Sequence, residues 1–570
     1  MKKAGKEHSK EKPPSRSGIL IKEKWPWIAL FLALSAVHLT AASGEIGGNL
    51  GGDSVVYYFL AKAMATGQGY ADIYMPGSPP HTRFPFMFPL LLAPFHLVAE
   101  RPLYAMHVMV ALLNGAAAVI LGIFLARRTG KWLGLAFAAL FGTIPVIYIQ
   151  SLHLLSEPLY MAFAFVALLM VERYPAQKGQ GTSIKALAVI SIVALLAFLT
   201  RTAGVALILA VAIALFRERA KVLISKKSLP PWAVFLVMAA VLAAPWIIRN
   251  QAASGESSEY VGQFLSKDPY NPAAGTMGAL DFSKRLMQNS EFYLPDLAGG
   301  AFAPAWELQA LQVVWPLILV LVLAGLIREL WAGHTAAESF TILSLAIVLV
   351  WPFYDSRFLV PVIPLSCFYL VRGITWMPDM LLSGKSTVYV LAGVMALLLA
   401  FQLFSFSRLV MKRFEPDWMP ERPVTIELKE EKHQWRRPAI NWAKYHFPRS
   451  WKDEKTKDMK MLFTDYIIMN RMLKKLTPQD AVILSRKPMF TYFFSGRKSV
   501  PLYWSEEPAE QRQYLLEKEV DYILLGLDES VLEETLRERA MFTEAASLER
   551  GISRVLKVDR DMLARPKQKR

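Results

Sequence analysis

Long apolar runs recur from about residue 27 to residue 406, with ionisable residues largely confined to their ends, and this pattern constrains the chain more than any other feature. A helix needs roughly 20 apolar residues to cross the ~30 Å hydrocarbon core of a bilayer. Inside that core each backbone polar group must find its partner within the segment, so the runs predict a bundle of membrane-spanning helices. They lie at roughly 27–43, 103–126, 132–150, 157–171, 186–200, 203–217, 231–248, 309–327, 338–354, 358–373 and 387–406. Several are short, so their ends must extend into adjoining residues.

Composition excludes several classes. Of the 570 residues 54% are hydrophobic and 19% charged, and the mean hydropathy is +0.30, outside the range of a soluble enzyme of this size. The charge of +17 sits largely in short connections and at the termini, a pattern of cytoplasmic anchoring and contact with anionic membrane lipids; no nucleic-acid groove is implied. The single cysteine, Cys367, lies in an apolar run as core filler and cannot form an internal disulfide. Gly47-Gly48 with Gly51-Gly52 lacks the spacing and preceding strand of a phosphate-cradling loop, so nucleotide use is not supported.

Topology turns on residues 86–99, only 14 residues long and carrying Pro89 and Pro94. Laid along the membrane interface, this segment leaves 11 crossings and puts Arg127, Arg128, Lys131, the Arg217–Lys221 cluster, Arg328 and Lys385 inside. Residues 1–24 then form a cytoplasmic basic tail before an uncleaved first helix, despite a weak Ala41-Ala42-Ser43 cleavage pattern, and 25–408 form the membrane domain. Its first outer loop spans 44–102 and a long outer loop spans 250–308. Asp53, Glu157, Arg201, Asp355 and Arg357 all fall on the outer side. Beyond a charged connector at 409–459, residues 460–570 predict a soluble outer α/β domain. Its strand-like runs are 481–485, 499–503, 520–525 and 552–558, its helical patterns 508–518 and 529–540, and Ser495-Gly496-Arg497 reads as a turn.

An acid beside hydrocarbon needs water, a partner or a task, which makes Asp53 the first site candidate. Several motifs surround it in order: Gly52-Asp53-Ser54-Val55-Val56-Tyr57-Tyr58, Ala63, Gly67-Gln68-Gly69-Tyr70, Arg83-Phe84-Pro85, Leu155-Ser156-Glu157-Pro158-Leu159-Tyr160, Arg201-Thr202-Ala203-Gly204 and Tyr354-Asp355-Ser356-Arg357-Phe358-Leu359-Val360-Pro361. Over residues 20–410 this order resembles the C-type fold of integral-membrane glycosyltransferases, nearest to the protein mannosyltransferases and the lipid A aminoarabinose transferases, and the α/β tail resembles the outer domain of many members. The resemblance implies transfer of a sugar, hexosyl or pentosyl, from a polyprenyl-phosphate donor to an extracytoplasmic lipid, glycan or protein, with inversion. It implies a catalytic base at Asp53, a basic residue near Arg83 with His81 beside it, and an acid at Glu157. Many members carry a second acid where this chain has Ser54, which leaves a two-carboxylate clamp in doubt.

Elementary chemistry agrees. A hydroxyl attacking a glycosyl phosphate needs a general base, and Asp53 can accept that proton. The phosphate leaving group already carries charge, and Arg83, Arg201 or Arg357 can offer paired donors to it. Tyr57, Tyr58, His81 and Asp355 are candidate substrate contacts, and Glu157 can orient Arg83 or the acceptor. Structural alternatives stand beside each role: Asp53 as a helix cap, Arg83 snorkelling, Glu157 beside Pro158 at a helix start, Arg201 at a turn, and Arg357 in an ion pair with Asp355. No metal ligand or cofactor is assigned, although a divalent metal is left open, with His153 a satisfied polar residue. The rival class is a transporter or flippase of a lipid-linked sugar, which would place broken helices at mid-membrane.

Overall fold

The computed structural model describes residues 16–42, 52–174, 183–221, 230–254, 259–269, 274–299, 309–376, 384–414, 423–428, 432–436, 454–505, 507–526, 532–536, 541–548 and 553–564. The start of the basic tail, residues 43–51 with their glycine pairs, parts of the long 250–308 loop, most of the 409–459 connector and parts of the 529–540 pattern lie outside the described residues.

The apolar runs fold as helices. The first is α1 (Arg16–Leu39), followed by α2 (Asp53–Ala65) and α3 (Met87–Val98). Next come α4 (Leu103–Thr129), α5 (Lys131–Gly142), α6 (Pro145–Gln150), α7 (Glu157–Arg173), α8 (Ile184–Thr200), α9 (Val205–Lys221) and α10 (Pro231–Ser254). After α11 (Glu259–Leu265) and α12 (Ala279–Gly299), the bundle closes with α13 (Gln309–Trp331), α14 (Ala336–Val350), α15 (Ile363–Ile374) and α16 (Gly384–Phe414). Every expected span carries helix, but the run at 132–150 is broken into α5 and α6 ahead of Pro145, whose missing N–H suits a first helical turn. Three helices among the described residues, Leu103–Thr129, Pro231–Ala253 and Val314–Trp331, are long and apolar enough to cross a membrane by length and composition. Val237, Val241, Leu317, Val320 and Leu397 are each more than half exposed, apolar surface suited to lipid rather than water.

Helix α3 has 12 residues, about 18 Å of helix at 1.5 Å per residue and short of a hydrocarbon core. Phe88 and Leu92 pack under Tyr57 and Leu60, while Leu97 and Val98 stay exposed. The same segment therefore supports α2 and presents an apolar edge.

Two devices hold the bundle. Where α13 meets α15 the backbones touch, since a Cβ added at Gly325 would sit 1.8 Å from the Tyr369 carbonyl oxygen and one at Gly373 1.9 Å from that of Leu321. Near this crossing, at the bundle end remote from Asp53, Arg128 of α4 is buried against three carboxylates. It pairs with Glu172 of α7, with Glu338 at 2.5 Å and with Glu329 at 3.5 Å, while Arg372 donates to Glu329 at 2.5 Å. The sequence places Arg128 in a basic cluster expected on the cytoplasmic side. Its side chain is only 3% exposed, because acids on three other helices outweigh water as its partners.

The C-terminal unit is a seven-stranded mixed sheet in the order β2-β1-β6-β7-β5-β3-β4. Strands β1 (Pro423–Leu428) and β2 (Lys432–Arg436) come from the stretch expected as connector, and β6 (Phe542–Leu548) has no counterpart among the expected strands. The strands at β3 (Ile483–Ser485), β4 (Ser499–Val500), β5 (Tyr522–Leu525) and β7 (Arg554–Val558) fall on the apolar runs. Helices α17 (Glu454–Leu476), α18 (Pro488–Ser495), α19 (Pro508–Glu517), α20 (Glu533–Leu536) and α21 (Arg560–Ala564) complete the unit. Period-two alternation splits the strands between two cores. Ile483, Leu524 and Val555 face Met469 and Leu473 of α17, whereas Leu484, Ile523 and Leu556 face Leu515 of α19.

This unit is seated on the membrane domain. Phe490 and Met489 join the apolar cluster of α2, Phe59 meets Tyr492 at 5.0 Å between ring centroids, Ser499 N donates to Tyr74 O at 2.9 Å, and Lys498 Nζ donates to Ile73 O.

Removing one partner of a buried ion-pair cluster strands the others, typically at about 3–5 kcal/mol. Arg128→Ala should therefore lower the unfolding midpoint of the detergent-solubilised protein by several degrees, and Arg128→Lys should recover only part. An unchanged midpoint in the Ala variant would show the cluster to be dispensable.

Candidate active site

Gly52 opens α2 with φ 79, a left-handed conformation that costs other residues roughly 1–2 kcal/mol. A Cβ there would also approach Met489 Sδ of α18 at 3.1 Å, so glycine both starts the helix and lets the C-terminal unit close on it. Gly52 holds the N-cap position, and Asp53 follows in the first turn, where the helix dipole favours a carboxylate. Capping therefore does not account for it.

Asp53 Oδ2 instead accepts from Arg357 Nη2 at 2.5 Å across 304 residues of chain, and Oδ1 lies 3.9 Å from Arg83 Nη2. Burial would raise this carboxyl, but Arg357 and then Arg83, with the Arg357 hydrogen bond and Arg201, hold it below the ordinary carboxylate value. Asp53 is thus ionised at neutral pH. Arg357 is correspondingly held well above its ordinary value, since Asp53, Asp355 and Glu157 outweigh the cost of its burial. Asp355 caps the short 3-10 helix Ser356–Leu359 by accepting from Arg357 N at 3.0 Å, and its other oxygen meets Arg357 Nε at 2.8 Å. Burial is the larger influence on Asp355 and raises it despite that pair.

Glu157 starts α7 beside Pro158 and is fully buried. Its Oε1 meets Arg201 Nη1 at 2.6 Å and Arg357 Nε at 3.9 Å, so it orients Arg201 and Arg357 and not Arg83. Ser156 joins them, its Oγ 3.2 Å from Arg201 Nη1 and 3.0 Å from Tyr57 OH. Arg357 Nη1 is buried without an acceptor, and Glu157 Oε2 without a donor, among the described residues. Buried polar atoms of that kind ordinarily have partners, and a polar ligand would supply them.

The two tyrosines separate. Tyr57 points into this cluster, whereas Tyr58 donates to Glu100 O at 3.2 Å and packs on His96 and Phe493, facing away. His81 uses both ring nitrogens in the fold, with Nδ1 2.8 Å from Asp72 Oδ1 and Nε2 accepting from Phe84 N at 2.8 Å. Nε2 as acceptor puts the proton on Nδ1. The ring braces the loop that carries Arg83, which leans over the Phe84 ring at 4.8 Å.

A metal does not fit this set. Among the described residues no three of His, Cys, Asp and Glu are placed so as to hold one metal ion, and the carboxylates of Asp53 and Glu157 are already faced by guanidinium groups that would repel a dication. The C-terminal unit adds a cation that the sequence does not single out, Lys487, just before α18. A buried cation of a remote domain carries no periodicity or motif by which to find it.

No protein-family model matches this sequence, and no curated protein matches it. Solved structures do. ArnT from Cupriavidus metallidurans, bound to undecaprenyl phosphate, superposes over 96% of this chain and 100% of its own, with 13% identity and a TM-score of 0.51. The oligosaccharyltransferase AglB from Archaeoglobus fulgidus, in its apo form, matches 88% of this chain and 70% of its own, with 13% identity and a TM-score of 0.50. Helices α1 to α16 and the sheet domain seated on them thus share the fold of these two proteins, the C-type fold that the sequence resembles.

Proposed function

We propose that this chain is a polyprenyl-phosphate-sugar-dependent glycosyltransferase that modifies an extracytoplasmic lipid, glycan or protein with inversion at the anomeric carbon. The observation that carries the reading is Asp53: an ionised carboxylate with Oδ2 held by Arg357 and Oδ1 keeping only the longer contact to Arg83. The binding of undecaprenyl phosphate by ArnT, a protein of this fold, supports the donor class.

In this reading the acceptor hydroxyl sits at Asp53 Oδ1 and attacks the anomeric carbon as the bond from that carbon to the phosphate oxygen breaks. Its proton passes to Asp53, and the bonding electrons leave with the phosphate. A carboxylate held below its usual value is a weak base, so the proton moves late, once the forming bond has acidified the hydroxyl. Arg83, Arg201 and Arg357 offer donors to the charge that grows on the phosphate, with Glu157, Asp355 and Ser156 holding Arg201 and Arg357 in place. Tyr57 lines the floor. The gathering of these charges at one end of the bundle favours chemistry at the rim over passage through its middle, as a transporter would need.

The accompanying topology has 11 crossings, a cytoplasmic N-terminus and α3 at the interface. Asp53 and the C-terminal domain then lie outside the cytoplasm of what we take to be a bacterial inner membrane. Single cysteines replacing the exposed Gln68 and Asp480 should react with an impermeant thiol reagent on intact cells, whereas one replacing the exposed Ala332 should react only after lysis. The reverse pattern would invert the protein and remove the proposed location.

The mechanism rests on Asp53→Asn. Asparagine keeps the size and can still accept from Arg357, but it cannot take a proton. The variant should insert and fold yet lose about 10²–10⁴ in turnover, the usual contribution of a positioned acid–base group. Near-normal turnover, or a product of retained configuration, would exclude Asp53 as the base.

A further inference from the structure

Three carboxylates, Asp53, Glu157 and Asp355, face three guanidinium groups, Arg83, Arg201 and Arg357. The cluster is electrically balanced before any substrate arrives. Transfer from a glycosyl phosphate turns a phosphodiester of one negative charge into a monoester whose second pKa is about 6, and which therefore carries nearly two at pH 7. Balancing that change takes a cation that is not already paired.

Lys487 meets that requirement. It immediately precedes α18, which packs along α2 with Met489 against Gly52 and Phe490 in the apolar cluster of Tyr57 and Phe84. Its backbone is fixed by Lys487 N donating to Tyr466 OH at 3.2 Å, and the domain is strapped to the first loop just beyond α18, by Ser499 N donating to Tyr74 O. The side chain is half-buried, and among the described residues its ammonium has no hydrogen bond or ion pair. The charged groups that act on it are Arg486, Asp53 and Arg83, which places it at the edge of the Asp53 site. Arg486 itself is turned onto the Trp504 ring at 4.7 Å.

We propose that Lys487 is a donor-binding residue supplied by the C-terminal domain, its ammonium engaging the phosphate of the polyprenyl-phosphate donor beside Arg83 and remaining there as charge builds on the leaving group. This inference rests on the proposed function. It makes the C-terminal domain a wall of the active site, so that the catalytic charge balance is complete only when that domain is seated on α2. Burial, then Arg486 and Arg83, lower the amine to about 8, with Asp53 opposing them. A bound anion favours the protonated form. Its contribution is therefore fully present below pH 8 and lost as pH rises above it, a window in which the phosphate no longer changes charge.

The test is equilibrium binding of radiolabelled undecaprenyl phosphate to the purified full chain in uncharged detergent at pH 7 and pH 9.5. Lys487→Gln should weaken binding at pH 7 by about ten- to a hundred-fold, the scale of one hydrogen bond to a charged group. The wild type should lose a comparable factor between pH 7 and pH 9.5. Lys487→Arg should keep the affinity and lose the pH dependence, because a guanidinium stays charged throughout. Equal affinities and equal pH profiles in wild type and Lys487→Gln would overturn the inference while leaving the proposed function standing. Weakening with the wild-type pH profile retained would show a structural effect and overturn it as well. A wild type that binds no polyprenyl phosphate would overturn the proposed function together with the inference.

Discussion

The contact between Asp53 and Arg357 joins the first loop of the chain to the turn before α15, and the arrangement of the whole site follows from it. A carboxylate and a guanidinium at the edge of an apolar bundle cannot each keep a full hydration shell. Paired, they draw together two segments with no other reason to meet, and the remaining charges settle around them. Glu157 and Arg201 add a second bridge between the start of α7 and the end of α8. The bundle end remote from Asp53 uses the same device in denser form, with Arg128 and Arg372 threaded among Glu172, Glu329 and Glu338. Buried ion pairs of this kind give little net stability over apolar packing, but a mispaired helix would leave a bare charge in a low dielectric. They select one packing of the helices from several that apolar surfaces alone would allow.

The two ends differ in charge balance. Around Arg128 two cations meet three acids, with His334 Nε2 3.7 Å from Glu329. An Arg357 nitrogen and a Glu157 oxygen around Asp53 stay buried without hydrogen-bond partners among the described residues, as do Glu329 Oε2 and Glu338 Oε2 around Arg128. Unmet polar atoms are costly unless a ligand meets them. Three acids meet three guanidinium groups around Asp53, whereas acids outnumber arginines around Arg128.

The C-terminal domain is part of this arrangement and not an appendage. Its short helix α18 lies on α2 through Met489, Phe490, Tyr492 and Phe493, and the glycine that begins α2 makes room for it. Beside the joint a groove runs between Tyr58, Phe59, Lys62, Arg101, Lys474 and Phe493, so the helical bundle and the C-terminal unit share a cleft.

Much of this was legible in the sequence. The apolar runs specified the helices, because a backbone in hydrocarbon has almost no other way to satisfy itself. The runs at 481–485, 499–503, 520–525 and 552–558 mark four of the seven strands, and the order of Asp53, Glu157, Arg201 and Arg357 picks out residues that do come together. Only the tertiary structure decided the rest. Strand β1 carries only a short apolar alternation, Val424, Ile426 and Leu428, within a charged stretch and pairs with β6, itself half solvated, while β2 pairs with β1. Tyr57 and Tyr58 are adjacent and chemically alike, yet the 100° step of a helix turns one toward Ser156 and the other toward Glu100. His81 is a substrate-contact candidate by sequence, but Asp72 and Phe84 engage its nitrogens, and no local pattern marks Lys487, since Asp53 and Arg83, which act on it, lie more than 400 residues away. Hydropathy and periodicity are local properties of a chain and fix what each segment becomes. Which charges meet depends on distances across the folded bundle, and no one-dimensional pattern records those.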